Sequence, residues 1–162
     1  MQSILRNAVI GLTLAALATA TTGVLAQAKD LPEVGTWKLN VEKSRYSPGP
    51  APKSLTVKIV PLDKGIKFTS EGIAADGKPI ATEYTTNFDG KDYPLKGSPV
   101  ADAVSVRRVD SQTAERTDKK AGKAMLTQTR EVAKDGKSFT VVITGTNDKG
   151  EPVNNRLLLE RQ

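Results

Sequence analysis

Residues 54–90 of the chain read SLTVKIVPLDKGIKFTSEGIAADGKPIATEYTTNFDG. Apolar and polar residues alternate on both sides of Asp63-Lys64-Gly65 and of Asp76-Gly77, which is the period-two pattern of half-buried strands. An Asp-Gly pair supplies the positive-φ positions that a tight hairpin needs. The stretch therefore predicts three strands that are joined in sequence by short turns.

The same turn chemistry recurs in the rest of the chain at Asp89-Gly90, Ala121-Gly122, Asp135-Gly136 and Asp148-Lys149-Gly150. Strands that follow one another through hairpins leave two exposed sheet edges, and closure into a barrel removes those edges. We therefore predict an all-β fold, a single antiparallel meander β-barrel of about 8–10 strands. Residues 35–41 are predicted to form the first strand. Residues 153–161 are expected to close the barrel by pairing with it.

Three segments interrupt the regular pattern. Residues 43–53 contain three prolines and are expected to form a loop across one barrel mouth, outside any strand ladder. Residues 91–101, broken by Pro94, Gly97 and Pro99, predict at most a short edge strand. Residues 124–134 also suit one side of a helix, but their threonines and the flanking glycine turns favour a strand.

The first residues are typical of a signal peptide. One positive charge precedes an apolar run over residues 8–20, and small residues typical of a signal-peptidase cleavage site follow. Cleavage after Ala26 or after Ala28 fits these small residues, and Ala26 is preferred. The alternative is a retained membrane anchor, although the apolar run is short for a membrane-spanning helix. We predict a signal peptide at residues 1–26, one lipocalin-like β-barrel domain at 27–162, and a periplasmic or secreted protein with no stable membrane anchor after processing.

The composition excludes most catalytic and metal chemistry. The chain has neither His nor Cys, so it lacks an imidazole base, a thiolate nucleophile and the usual ligands of zinc, copper and haem. Oxygen-rich segments at residues 89–92 and 147–151 are interpreted as hairpin turns rather than calcium loops, since they lack the required ligand spacing. No pair of ionisable groups is expected to converge in one pocket. We predict no enzyme activity, no metal and no cofactor.

The charge of the chain is moderately positive. The net charge of +6 becomes about +5 once residues 1–26 are removed. Lysines lie mainly at turns and on alternating strand positions, which is a solvated, edge-protecting distribution rather than a basic block. The sequence therefore predicts no nucleic-acid partner.

The start of the first strand, Gly35-Thr36-Trp37-Lys38-Leu39, resembles the opening of lipocalins and fatty-acid-binding proteins of the calycin superfamily. Together with the turns and the final strand, the pattern is also similar to a group of exported bacterial proteins of unassigned function. In lipocalins the tryptophan packs against an arginine from the last strand. The resemblance thus implies a structural barrel closure by Trp37 with Arg156 or Arg161.

The resemblance also has a clear departure. Fatty-acid-binding proteins share an Arg-x-Tyr pair on the last strand that grips the ligand carboxylate. This chain has Leu157, Leu158 and Leu159 there, and a proline-rich loop replaces the helical lid of those proteins. The resemblance therefore speaks for the fold more than for that mode of fatty-acid binding.

Candidate ligand-binding residues are those on the more apolar face of each predicted strand, namely Phe68, Tyr84, Phe88 and Arg108. Arg108 would bind a ligand carboxylate, because a guanidinium inside a barrel needs a partner. Arg130 is a weaker second anchor. In the alternative interpretation the aromatic residues fill a packed core, and Arg108 lies at a rim, paired with an acid such as Glu83.

Two functions follow from these alternatives. With a cavity, the barrel would bind a small amphipathic or anionic ligand in the cell envelope. With a filled interior, it would be an interaction module for a protein or an anionic polymer. The interior volume distinguishes the two.

Overall fold

The computed structural model describes residues 31–162, and the predicted signal peptide lies outside these residues. The described part of the chain is all β, and it forms ten strands in one antiparallel sheet. The strands are Gly35–Arg45 (β1), Ser54–Pro61 (β2), Ile66–Ile73 (β3), Pro79–Thr86 (β4), Asp89–Pro94 (β5), Ala103–Arg108 (β6), Thr113–Lys120 (β7), Lys123–Val132 (β8), Ser138–Thr146 (β9) and Pro152–Arg161 (β10). No helix in this region is long and apolar enough to cross a membrane.

The sheet is a meander whose first and last strands pair, in the order β4-β3-β2-β1-β10-β9-β8-β7-β6-β5. The register of the β1–β10 pair places Trp37 opposite Arg161 and Leu39 opposite Leu159. This confirms the predicted antiparallel barrel and its closure by the last strand. Residues 124–134 lie largely in β8, so the strand interpretation of that segment is also confirmed.

The turn glycines adopt the backbone that the sequence predicts. All six of them, Gly65, Gly77, Gly90, Gly122, Gly136 and Gly150, have φ between 68° and 90°. Five lie between paired neighbouring strands, whereas Gly90 lies inside β5. The expected hairpin at Asp89-Gly90 is therefore wrong, because β4 and β5 are the two ends of the sheet and do not form a regular ladder.

The gap between β4 and β5 is closed at one point by the segment that follows β5. Glu83 and Lys96 exchange two backbone hydrogen bonds, of 2.9 and 3.1 Å. Gly97 comes next, at φ 74°, and a Cβ at this position would overlap the carbonyl oxygen of Ala81. Close approach of the two backbones thus depends on glycine at position 97.

The meander divides the loops between the two ends of the barrel. The β1–β2, β3–β4 and β5–β6 connections lie at one end, which we call the loop end, and the β2–β3 and β8–β9 turns lie at the opposite end with Trp37. β1 continues to Arg45, so the predicted loop over residues 43–53 is shorter than expected. The three prolines of that segment lie after the end of β1. Trp37 belongs to the core at this opposite end: it is fully buried, and its ring centroid lies 5.2 Å from that of Phe139.

Candidate ligand-binding cavity

The barrel interior contains a cavity of about 400 Å³ toward the loop end. Its rim includes Pro50, Pro52, Ala75 and Ser98, which belong to the β1–β2, β3–β4 and β5–β6 connections. The wall is mainly apolar, and its aliphatic residues include Leu55, Val57, Ile80, Val141, Leu157 and Leu159. This volume falls in the range of small-molecule sites, so the described barrel is not filled by its own side chains.

Charged and polar side chains form the floor of the cavity. Arg116 of β7 donates to Asp118 of the same strand, from Nε to Oδ1 at 2.5 Å and from Nη2 to Oδ2 at 3.1 Å. Gln128 of β8 donates to the second carboxylate oxygen, with Nε2 3.0 Å from Oδ2. Arg116 and Asp118 are 5% and 3% exposed, so this is a buried ion pair with both carboxylate oxygens occupied.

A second arginine, Arg130, lies beside this pair. Its Nε donates to Oε1 of Gln128 at 3.1 Å, and its Nη1 donates to the hydroxyl of Tyr84 at 2.9 Å. These partners are neutral, and Arg130 forms no ion pair within the described residues. The hydrogen bonds of Arg116 and Arg130 to Asp118, Gln128 and Tyr84 use Nε and one terminal nitrogen of each guanidinium, and both residues line the cavity.

The pKa values of the two arginines shift in opposite directions. The pKa of Arg130 is lowered, first by burial and then by the positive charge of Arg116, against opposing contributions from Tyr84 and Asp118. Burial also acts to lower the pKa of Arg116, but Tyr84 and Asp118 outweigh it and the net direction is upward. Guanidinium groups stay protonated in proteins. The floor therefore carries two positive charges and one negative charge.

Aromatic rings support both guanidinium groups. Phe68 and Tyr84 stack with ring centroids 4.8 Å apart. The guanidinium carbon of Arg116 lies 4.6 Å from the Tyr84 centroid, and that of Arg130 lies 4.8 Å from the Phe68 centroid. These distances fit cation–π contacts, which hold the planar groups in a defined orientation.

The structure separates the four residues that the sequence put forward for ligand binding. Phe68 lines the cavity, and Tyr84 contacts its floor through Arg130. Phe88 and Arg108 instead line a smaller space of about 20 Å³ toward the opposite end. Arg108 forms an ion pair with the buried Glu33 and lies 4.1 Å from the Phe88 ring centroid.

The partner of Arg108 differs from the acid proposed from the sequence. Glu83 is partly exposed and pairs with Lys67 at 2.7 Å and with Lys96 at 3.7 Å. It lies on β4 among outward-facing positions, whereas Glu33 precedes β1 and reaches the barrel end where Arg108 emerges. Sequence alternation predicts faces, but it does not predict which terminal segment covers an end.

The structure also separates the two arginines proposed to pack on Trp37. The guanidinium carbon of Arg161 lies 4.1 Å from the indole centroid, and its nitrogens donate to backbone carbonyls of Pro32, Val34 and Gly136. Arg156 is exposed on the outer face, because it alternates with the inward-facing Leu157.

The expectation that no ionisable groups converge in one pocket is wrong, because Arg116, Asp118 and Arg130 do so. Asp118, however, accepts from Arg116 and Gln128, so donors occupy both of its carboxylate oxygens. Among residues 31–162 no three acidic groups come close enough to hold a metal ion. Arg116, Asp118 and Gln128 were not singled out from the sequence.

The described residues therefore fold as a ten-stranded antiparallel meander barrel with an internal cavity. Among solved structures, the zebrafish ileal bile acid-binding protein in complex with cholic acid matches 81% of this chain and 99% of its own, with a TM-score of 0.50 and 15% identity. A de novo designed fluorescence-activating β-barrel matches 83% of this chain and 98% of its own, with a TM-score of 0.43 and 13% identity. No protein-family model matches the chain, and no curated protein is similar to it in sequence.

Proposed function

We propose that the protein is a non-catalytic carrier that binds one small amphipathic anion inside the barrel. The observation that carries this proposal is the arginine pair at the floor of a mainly apolar cavity, with one carboxylate for two guanidinium groups. A carboxylate or sulfonate head would accept from terminal nitrogens of Arg116 and Arg130. The apolar body would lie against the aliphatic wall.

The energetics of burial support an anionic ligand. A buried charge without a charged partner is costly, and Arg130 has neutral partners and a positive neighbour. Binding of an anion supplies the missing negative charge in a site that is shielded from water, where charge-assisted hydrogen bonds are strong. The structural neighbour binds cholic acid, and its similar fold is consistent with a ligand of this class.

The position of the anchor differs from the one that the fatty-acid-binding proteins suggested. Leu157 and Leu159 of β10 contribute apolar wall, and the arginines come from β7 and β8 instead. The alternative function as a filled barrel is not supported, since the interior holds a cavity of about 400 Å³. The signal-peptide pattern of residues 1–26 supports export, so we place the carrier in the periplasm or the medium.

The proposal is tested with two fluorescent probes of similar shape. 1-Anilinonaphthalene-8-sulfonate carries an anionic sulfonate, and N-phenyl-1-naphthylamine has the same aromatic body without it. Arg130→Met removes one guanidinium and keeps an unbranched side chain of similar length. Loss of one charge-assisted interaction, about 1.5–3 kcal/mol, predicts an affinity for the sulfonate that is about 10- to 100-fold lower. Affinity for the neutral probe should change less than threefold.

Two control variants separate the cavity from other basic sites. Arg107→Met removes an exposed arginine that pairs with Glu115 outside the barrel, and it should leave both probes unaffected. Arg108→Met tests the anchor expected from the sequence. If Arg108→Met weakens sulfonate binding and Arg130→Met does not, the anion site lies at the other end and the proposal fails.

The natural ligand is sought by native mass spectrometry of the protein isolated from its own cell envelope. A discrete added mass, removed by solvent extraction, is the expected result and identifies the cargo. A bare protein mass that persists after incubation with a host lipid extract would argue against a carrier. If the protein is recovered from whole cells but from neither the envelope fraction nor the medium, the result contradicts export.

A further inference from the structure

A basic groove lies on the outside of the barrel, next to the loop end, where β1 meets β10. Its lining consists of Ser44, Arg45, Tyr46, Ser47, Asn154 and Arg156, and its volume is about 540 Å³. We call this feature the outer groove. It is separate from the cavity floor, although Tyr46 contributes to the lining of both spaces.

Two arginines face each other across the outer groove. Arg45 and Arg156 are direct cross-strand partners in the β1–β10 register. Both are exposed, and residues paired in this way have Cβ atoms about 5 Å apart on the same face of the sheet. Two like charges in such positions destabilise the pair of strands.

No carboxylate compensates these charges within residues 31–162. Neither arginine forms an ion pair in this part of the chain, whereas neighbouring Lys43 pairs with Glu160 at 3.0 Å. The same outer surface therefore neutralises one basic residue and leaves two opposed guanidinium groups without a counter-charge. This arrangement is unfavourable in the free protein and becomes favourable when an anion lies between the two groups.

The backbone around the outer groove is held in place. Between Asn40 and Arg45 the register with β10 shifts, and the hydroxyl of Ser44 accepts from the backbone of Leu158 at 3.0 Å in place of a ladder carbonyl. Beyond the strand, the backbone nitrogen of Ser47 donates to Oδ1 of Asn155 at 2.8 Å. These bonds fix the β1 bulge against β10, so the groove is formed before any ligand binds.

We propose that the outer groove binds a phosphate group through the paired side chains of Arg45 and Arg156. A guanidinium presents two parallel donors that match the oxygens of a phosphate, and two guanidinium groups match its double negative charge. The phosphate belongs either to a soluble molecule or to a lipid headgroup. This second site is independent of the anion that the cavity holds, and its failure would leave the carrier function untouched.

The test is a titration of the purified, ¹⁵N-labelled protein with inorganic phosphate, at constant ionic strength maintained with chloride. We expect saturable shifts of the Arg45, Ser47 and Asn154 signals. The double variant Arg45→Gln and Arg156→Gln should bind phosphate at least tenfold more weakly. A matched double variant, Lys64→Gln and Lys137→Gln, removes the same charge from turns at the opposite end and should stay within twofold of the wild type.

Two further binding experiments, one with a soluble phosphate and one with lipid vesicles, identify the source of the phosphate. Binding of glycerol 3-phosphate without binding to vesicles that contain phosphatidic acid indicates a soluble partner. Arginine-dependent sedimentation with those vesicles, but not with phosphatidylcholine vesicles, indicates a headgroup. Equal phosphate affinity in the two double variants, or shifts spread over the whole surface, would overturn the site.

Discussion

The two buried arginines should differ sharply in what they contribute to stability, and the difference can be worked out from their partners. Arg116→Met leaves Asp118 buried, 3% exposed, with the amide of Gln128 as its remaining donor. Removing one partner of a buried ion pair costs about 3–5 kcal/mol. Arg130→Met leaves that pair intact and forfeits two charge-assisted hydrogen bonds, to Tyr84 and Gln128, worth about 1.5–3 kcal/mol each.

Burial of the Arg130 charge costs several kcal/mol, so relief of that cost and of repulsion from Arg116 offsets most of the lost hydrogen bonding. We expect Arg130→Met to lower the free energy of unfolding by no more than about 1 kcal/mol, against about 3–5 kcal/mol for Arg116→Met. For a domain of this size the Tm should fall by less than about 5 °C in the first variant and by about 10–15 °C in the second.

Urea unfolding, followed by far-ultraviolet circular dichroism and by the fluorescence of Trp37, measures both changes. Adding Asp118→Asn to Arg116→Met removes the stranded charge and should recover at least half of the lost stability. A loss in Arg130→Met as large as in Arg116→Met, or no recovery in the double variant, would refute the assignment of the ion pair to Arg116.

Three further predictions concern the loops and the closure of the sheet. Burial raises the pKa of Tyr46 to about 12, above its unfolded value of about 10. The protonated phenol therefore stabilises the fold fully below about pH 10, and this stabilisation is lost as the pH rises toward 12. In urea unfolding, the free energy of unfolding should fall less between pH 8 and pH 11 in Tyr46→Phe than in the wild type. Ala121 has φ 48° in a two-residue turn with Gly122, so Ala121→Asn should stabilise the protein by about 0.5–1 kcal/mol in the same assay. Gly97→Ala forces a Cβ against the backbone of Ala81 and should speed amide exchange at the β4–β5 junction, while exchange at the β1–β10 ladder stays slow.

Most of the fold could be predicted because its signals are local. Hairpin glycines and period-two alternation act over a few residues, and they placed the strands in order. Asp89-Gly90 carries the same signal without forming a hairpin, because the break between β4 and β5 depends on where a ten-stranded sheet meets itself. That meeting point is set by register and curvature over the whole barrel, and no dipeptide encodes it.

The site was harder to predict, because the rule that apolar strand faces line the interior holds only in part for this barrel. That rule found Phe68 and Tyr84, but it also chose Phe88 and Arg108, which lie toward the other end of the barrel. It selects no residue of β7, whose inward-facing Arg116 and Asp118 are charged. An apolar inward face is the usual arrangement in an antiparallel sheet with one wet side, and a ligand-binding interior departs from it.

β7 nevertheless contains a signal that can be used. Every strand of a closed barrel turns one face inward, and both faces of β7 carry charges: Arg116 and Asp118 alternate with Glu115 and Lys119. Whichever face points inward, charged groups enter the interior, where they must be paired or must bind something. In this chain Asp118 forms an ion pair with Arg116, whereas Arg130 on the neighbouring strand has no acidic partner among residues 31–162. A strand that is polar on both faces within a predicted closed barrel is therefore itself evidence for a polar interior site, and the unmatched charge gives the sign of its ligand.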